Sequence, residues 1–79
     1  MNIKIYTLDT CVYCNLAKDI LKKNNLKYEE IKLEKNNDNL KKLIEKTKCK
    51  TVPQIFVNEN FIGGYTDLKE LIEKGILNK

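Results

Sequence analysis

An α/β chain built on a small mixed sheet is predicted by three features of the sequence. A β-branched opening strand gives way to an amphipathic helix, a second strand and helix follow, and a hairpin then leads into a last helix. The order β-α-β-α-β-β-α gives a four-stranded mixed sheet flanked by three helices. The 79 residues are expected to form one domain, 1–79, near the lower size limit, because a chain this short buries only about 60–65 % of its unfolded surface.

Residues 3–7, Ile3-Lys4-Ile5-Tyr6-Thr7, alternate and are β-branched enough to be a strand. Thr10 or Asp9 can cap the helix that follows, in which Val12, Leu16, Ile20 and Leu21 form one apolar stripe, and Asn24-Asn25 stops it. Residues 27–33 read as a partly exposed strand, since Tyr28, Glu30 and Lys32 lie on one side and Lys27, Glu29, Ile31 and Leu33 on the other. This completes a βαβ unit and hence a parallel strand pair.

Asn36-Asn37-Asp38 is a turn and capping cluster. A helix over 38–47 carries Leu40, Leu43, Ile44 and Thr47 at helical spacing, down to a break around Lys48-Cys49-Lys50. Gln54-Ile55-Phe56-Val57, the turn Asn58-Glu59-Asn60 and Phe61-Ile62 form a hairpin. Gly63-Gly64 precede a helix over 66–74 with Leu68, Leu71 and Ile72 on its apolar face, and Gly75 suits the left-handed position that ends it.

The net charge of +4 comes from lysine alone, as the chain has neither arginine nor histidine. Those lysines are spread along the sequence and read as solvated helix faces. Nucleic-acid binding is disfavoured: no arginine fork can read guanine edges, and the six aromatics do not form a stacking ladder among the lysines. Lack of histidine removes the imidazole base and the commonest zinc ligand. Three cysteines make no even framework, no signal peptide precedes the first strand, and no apolar run approaches a membrane span. A soluble, monomeric, cytoplasmic protein with no membrane or nucleic-acid partner is expected.

Thr10-Cys11-Val12-Tyr13-Cys14 sets two thiols where the first strand meets its helix. At that spacing on a first turn the sulfurs face one side, with Cys11 outermost beside unpaired backbone N–H groups that stabilise negative charge. Cys11 is then the nucleophile and Cys14 its resolving partner. A C-x-x-C pair alone also suits half a zinc site or a haem attachment.

Two further motifs bear on that choice. Thr51-Val52-Pro53-Gln54-Ile55-Phe56 and Ile62-Gly63-Gly64-Tyr65-Thr66-Asp67-Leu68 follow the cysteine motif in order and at the right gaps. Together the three resemble the dithiol glutaredoxins, of the thioredoxin-fold superfamily, over essentially the whole length. Zinc and haem readings predict neither of the later motifs, and no metal site is expected.

The resemblance implies a cis bond between Val52 and Pro53, the chain's only proline, so that the Val52 backbone meets a bound thiol compound like an added strand. It implies that the γ-glutamyl end of glutathione docks at Gly64, Tyr65, Thr66 and Asp67, on the N-terminus of the last helix. Thr51 belongs to the same substrate edge. Tyr13 is expected exposed, its ring flanking the incoming sulfur or else packing on Tyr6 or Tyr65. Lys50, or Lys48, is a further candidate contact for the glycine carboxylate. Cys49 is expected to be a small, inert hydrophobe; if exposed, it could form mixed disulfides or dimers.

The chain departs from the family beside the nucleophile. Leu8 stands where many members carry a lysine that contacts glutathione, and Asp9 follows it, so one positive charge is lost and one negative charge gained. Val12 replaces the commoner proline. The implied activity is reduction of protein disulfides and glutathione mixed disulfides, with glutathione as co-substrate and no bound cofactor. Two other readings remain: an electron donor to one partner such as ribonucleotide reductase, recharged by a flavin-dependent reductase of the thioredoxin-reductase type, and a glutathione-bridged dimer holding an iron–sulfur cluster through Cys11.

Overall fold

In the first strand, β1 (Ile3–Leu8), Ile3, Ile5 and Thr7 are buried and Lys4, Tyr6 and Leu8 are half-buried, so both faces of the strand are covered to different degrees. The computed structural model describes residues 2–34 and 38–77. Besides β1, it contains α1 (Val12–Lys23), β2 (Glu29–Leu33), α2 (Asp38–Thr47), β3 (Gln54–Val57), β4 (Asn60–Gly63) and α3 (Tyr65–Glu73). The expected element order and the four-stranded mixed sheet are both present, with strand order β2-β1-β3-β4.

β1 pairs in parallel with β2, from Lys4↔Glu29 to Leu8↔Leu33, and antiparallel with β3, from Ile3↔Val57 to Tyr6↔Gln54. β3 pairs antiparallel with β4, with a register irregularity between Ile55 and Phe56. This pattern has a functional consequence. The end of β1, the start of β3 and the end of β4 all lie at one edge of the sheet, so the three motif loops meet there although about 50 residues separate the first from the last.

Two apolar clusters hold the layers. Ile3, Ile5, Ala17, Leu21, Ile55, Leu68 and Ile72 fill the face covered by α1 and α3, while Leu33, Leu43 and Phe56 pack on the face covered by α2. Among the described residues no helix is long and apolar enough to cross a membrane.

Several boundaries differ from those the sequence predicts. β2 begins at Glu29 rather than at residue 27, because the chain leaves α1 through Asn25 at φ +56 and Leu26 turns into the core before pairing starts. The hairpin turn is two residues long. Asn58 and Glu59 both have positive φ, 50° and 70°, the twist that suits a tight hairpin, and Asn60 already pairs with Val57. α3 starts at Tyr65 with Gly64 as its N-cap and ends at Glu73, one residue earlier at each end than 66–74; Gly75 does take the left-handed C′ position, at φ +76. The 38–47 helix is present as expected, whereas the Asn36-Asn37 part of the predicted turn lies outside the described residues.

The apolar stripe of α1 is also displaced. Cys14, Ala17 and Leu21 are buried, Ile20 packs at the margin of the core, and Val12 is 70 % exposed with Leu16 exposed beside it. At about 3.6 residues per turn, Cys14, Ala17 and Leu21 share the face of α1 that packs on the sheet, and Val12 and Leu16 lie off it.

Candidate active site

The loop from Asp9 to Cys11 decides how the two thiols are presented. Thr10 sits at φ +54 and spends its hydroxyl on the Asp9 carbonyl at 2.6 Å, so neither Thr10 nor Asp9 caps α1 as the sequence predicts. Cys11 is the cap. It has extended backbone, φ −114 and ψ 110, and its Sγ accepts the backbone N–H of Cys14 at 3.2 Å. The outer sulfur therefore lies in the positive field of the helix N-terminus. Its thiol also points to the Val52 carbonyl, 3.8 Å away.

Cys14 is different in kind: it is 1 % exposed, under the first turn of α1. Burial, then the hydrogen bond with Cys11, push its thiol up to about 12, against an opposing backbone hydrogen bond with Leu8. All three cysteines are free thiols. One sulfur is accessible and one is held back.

The loop before β3 faces this pair. The Val52–Pro53 bond is cis, as the resemblance implies. The loop is positioned by Gln54, to which the sequence reading gave no role. Gln54 is almost fully buried; its Nε2 donates to the carbonyls of Cys49 at 2.7 Å and Thr51 at 3.2 Å, and its Oε1 lies 2.9 Å from the Thr47 hydroxyl. A buried amide in an otherwise apolar strand must find such partners, and that mismatch between residue and strand was the available signal.

On the far side, the Gly63-Gly64 turn feeds α3. The Gly64 N–H donates to Asp67 Oδ2 at 3.0 Å, closing the cap from inside the helix and leaving the N–H groups of the first turn directed outward. Gly63 has φ +117, and a Cβ there would overlap the Asp67 carboxylate, so both the turn and the cap need a residue without a side chain. At Gly64, a Cβ would come within 3.3 Å of the Pro53 carbonyl, which shows how closely the two loops approach.

Between them runs a groove of about 490 Å³. Tyr13, Thr51, Val52 and Pro53 line one part of it, and Gly64, Tyr65, Thr66 and Asp67 another, so these predicted residues are brought together. Tyr13 is 60 % exposed, with its ring 6.0 Å from that of Tyr65, so it is open to the groove mouth and also packs on Tyr65. Phe61, Gly63 and Cys49 line the groove too, although the sequence did not single them out for it. Cys49 is half-buried rather than buried, its Sγ lying 3.4 Å from the Thr51 hydroxyl. Lys50 is exposed and, like Lys48, is not part of the lining; Lys48, at φ +59, carries the turn out of α2.

The sequence matches the family model for glutaredoxins over residues 3–62. The chain belongs to the glutaredoxin family. It is 36 % identical over 77 residues to glutaredoxin 3 of Escherichia coli (strain K12), covering 98 % of this chain and 93 % of that protein. To glutaredoxin 1 of Rickettsia prowazekii it is 44 % identical over 79 residues, covering 98 % and 83 %. The crystal structure of glutaredoxin 1 from Francisella tularensis complexed with cacodylate shares the fold at a TM-score of 0.84 and 35 % identity, over 99 % of this chain and 98 % of that one. The buckwheat glutaredoxin–glutathione complex matches at a TM-score of 0.85 and 26 % identity, over 95 % and 71 %. The sheet order and helix placement are thus those of the glutaredoxin form of the thioredoxin fold.

Proposed function

We propose that this chain is a glutathione-dependent thiol–disulfide oxidoreductase in which Cys11 exchanges with the substrate disulfide and Cys14 resolves it. One observation carries the reading. The Cys11 sulfur sits between the Cys14 N–H and the Val52 carbonyl, and Val52 also lines the groove that runs to the N-terminus of α3. A tripeptide thiol with an anionic end fits such a groove: its sulfur meets Cys11, its backbone pairs along Val52, and a carboxylate meets the first-turn N–H groups at Tyr65 and Thr66. The buckwheat protein with the same fold was solved as a glutathione complex, which supports that choice of thiol.

The chemistry balances as follows. Cys11 thiolate attacks one sulfur of a substrate disulfide, forming a mixed disulfide and releasing a thiolate that takes up a proton. With a glutathione mixed disulfide, the deglutathionylated substrate leaves and a glutathione thiolate reduces Cys11, giving glutathione disulfide. With a protein disulfide, Cys14 displaces the remaining substrate sulfur, and two glutathiones reopen the Cys11–Cys14 bridge. Substrates are then disulfide-containing or glutathionylated proteins, no prosthetic group enters the cycle, and the reducing cytoplasm suits a pair that must stay reduced.

The first test is to incubate a Cys14→Ser variant with a glutathionylated peptide and digest it for mass spectrometry. A glutathione adduct on Cys11 is expected, and its absence from Cys11 would count against the assignment. A second reading draws on Asp9, whose exposed carboxylate lies next to the thiol loop, with Lys32 at 3.9 Å as its ion-pair partner among the described residues. That charge disfavours an anionic tripeptide, and a dithiol donor serving one protein partner, recharged by a flavin-dependent reductase, would tolerate it better.

A further inference from the structure

One turn along α1 from Cys14 the protein holds an ion pair that the exchange chemistry above does not use. Lys18 lies one turn after Cys14 on α1, so the two side chains share a helix face. Its Nζ donates to Glu30 Oε2 of β2 at 3.1 Å, and the same oxygen accepts the Thr7 hydroxyl of β1 at 2.8 Å. Thr7 is 1 % exposed, and the Lys18 and Glu30 side chains 21 % and 24 %. A bridge of this kind between three elements bears a desolvation cost that an open surface pair does not. Joining α1 to the sheet accounts for the pair at this exposure, so a second role needs a chemical reason of its own.

The surroundings of Cys14 supply one. Besides burial, what holds the proton on its sulfur is the hydrogen bond and the negative charge of Cys11; what favours releasing it is the Leu8 backbone and the positive charge of Lys18. Lys18 in turn feels Glu30, Tyr28 and Cys14, and Glu30 feels Lys18 and Lys32. Once Cys11 is bound in a mixed disulfide its sulfur carries no charge. The repulsion from Cys11 then ends, and Lys18 remains as the charged group acting on Cys14.

We propose that Lys18, held by Glu30 and Thr7, is a positioning residue for the resolving step, its ammonium stabilising the Cys14 thiolate when, and only when, Cys11 is occupied by substrate. The inference rests on the exchange reading above. In the step it serves, Cys14 gives its proton to solvent and its thiolate attacks Cys11 Sγ. The Cys11–Cys14 bond forms, the bond from Cys11 to the substrate sulfur breaks, and the departing thiolate is protonated; the cysteine pair loses the two electrons that the substrate disulfide gains. Glu30 fixes the position of the ammonium through the 3.1 Å contact.

The test uses 5,5′-dithiobis(2-nitrobenzoate) in stopped flow, on protein carrying Cys49→Ser. Two thionitrobenzoate releases are expected: a first whose rate rises with reagent concentration, from Cys11, and a second independent of it, from resolution by Cys14. In Lys18→Met the second release should slow about tenfold near neutral pH, with the midpoint of its rate–pH profile moved up by about one unit. Lys18→Arg, which keeps the charge, should restore most of the rate and the midpoint. A second release in Lys18→Met that keeps its rate and midpoint overturns the role of Lys18 while leaving the exchange reading standing. Should Lys18→Met not fold, Lys18→Gln takes its place with the same two outcomes: a second release slowed about tenfold upholds the proposal, and one at the parent rate overturns it. Absence of any second release in the Cys49→Ser parent contradicts the exchange reading itself.

Discussion

The backbone N–H of Cys14 donates to the sulfur of Cys11 at 3.2 Å, so the outer thiol is the cap of the helix that carries its own partner. The two thiols differ in burial: Cys11 is half-buried beside Val52, which lines the groove, and Cys14 is buried behind it.

That division separates the two thiols by mutation. Cys11→Ser supplies a better capping oxygen, so α1 and thermal stability should be retained while all exchange is lost. Cys14→Ser should keep turnover of glutathionylated peptide and lose most reduction of a protein disulfide. Paired assays with both substrates, alongside circular dichroism, check this; a Cys14→Ser protein inactive on the glutathionylated peptide would reverse the roles.

Gln54 anchors the loop before β3. Gln54→Met preserves volume but leaves the carbonyls of Cys49 and Thr51 without their donor, a loss of about 1–3 kcal/mol in denaturant unfolding. Because those residues carry Val52, the KM for glutathione should rise as well. Unfolding curves and steady-state kinetics on the same preparation read both effects.

How much of this could be read from the chain follows the range of the interactions. The cysteine pair, the Gly63-Gly64 turn and the order of elements are local patterns, and the sequence shows them directly. The cap at Cys11 was missed because the polar Thr10 and Asp9 are the stronger candidates by type; the positive φ of Thr10 overrides that preference, and nothing in residue identity announces it. Val12 and Leu16 looked like core by periodicity, yet α1 packs through its Cys14–Ala17–Leu21 face, which leaves them exposed. The Thr7–Glu30–Lys18 bridge links residues distant in sequence, so it becomes visible only when the sheet register sets β1 beside β2; the Gln54 contacts to Thr47, Cys49 and Thr51 are near in sequence but depend on how the loop folds back over the side chain.

Asp67 ties its own helix to the groove. Asp67→Ala removes the acceptor of the Gly64 N–H and the acidic residue of the first turn, and should cost about 0.5–2 kcal/mol of stability together with weaker glutathione binding. Gly63→Ala should produce the same two effects by a different route, since its Cβ would displace the Asp67 carboxylate. Calorimetric titration with glutathione disulfide and thermal melts measure them; a Gly63→Ala protein with unchanged binding would separate the cap from the site.

Glu30 sets an acid limit to stability. Burial alone would raise its carboxyl, but the hydrogen bonds from Thr7 and Lys18 and the lysine charges outweigh it and hold the group below its ordinary 4.5. The folded state thus favours the carboxylate, contributing stability that is full above about 4.5 and lost as pH falls through the lower folded value. Glu30→Gln should be less stable at neutral pH, by about 1–3 kcal/mol, and its melting temperature should fall less steeply between pH 5 and 3. Parallel slopes for the two proteins would show that Glu30 does not carry the acid limb.

Glutathione turnover is the most direct test of the whole assignment. The rate of NADPH oxidation would be followed with glutathione, glutathione reductase and a glutathionylated peptide, comparing the native chain with Cys11→Ser. Saturable turnover in the native protein and none in Cys11→Ser is the expected result. A native protein that does not turn over with glutathione, yet is reduced by a flavin-dependent thioredoxin-type reductase, would contradict the glutathione assignment and favour the dedicated-donor reading.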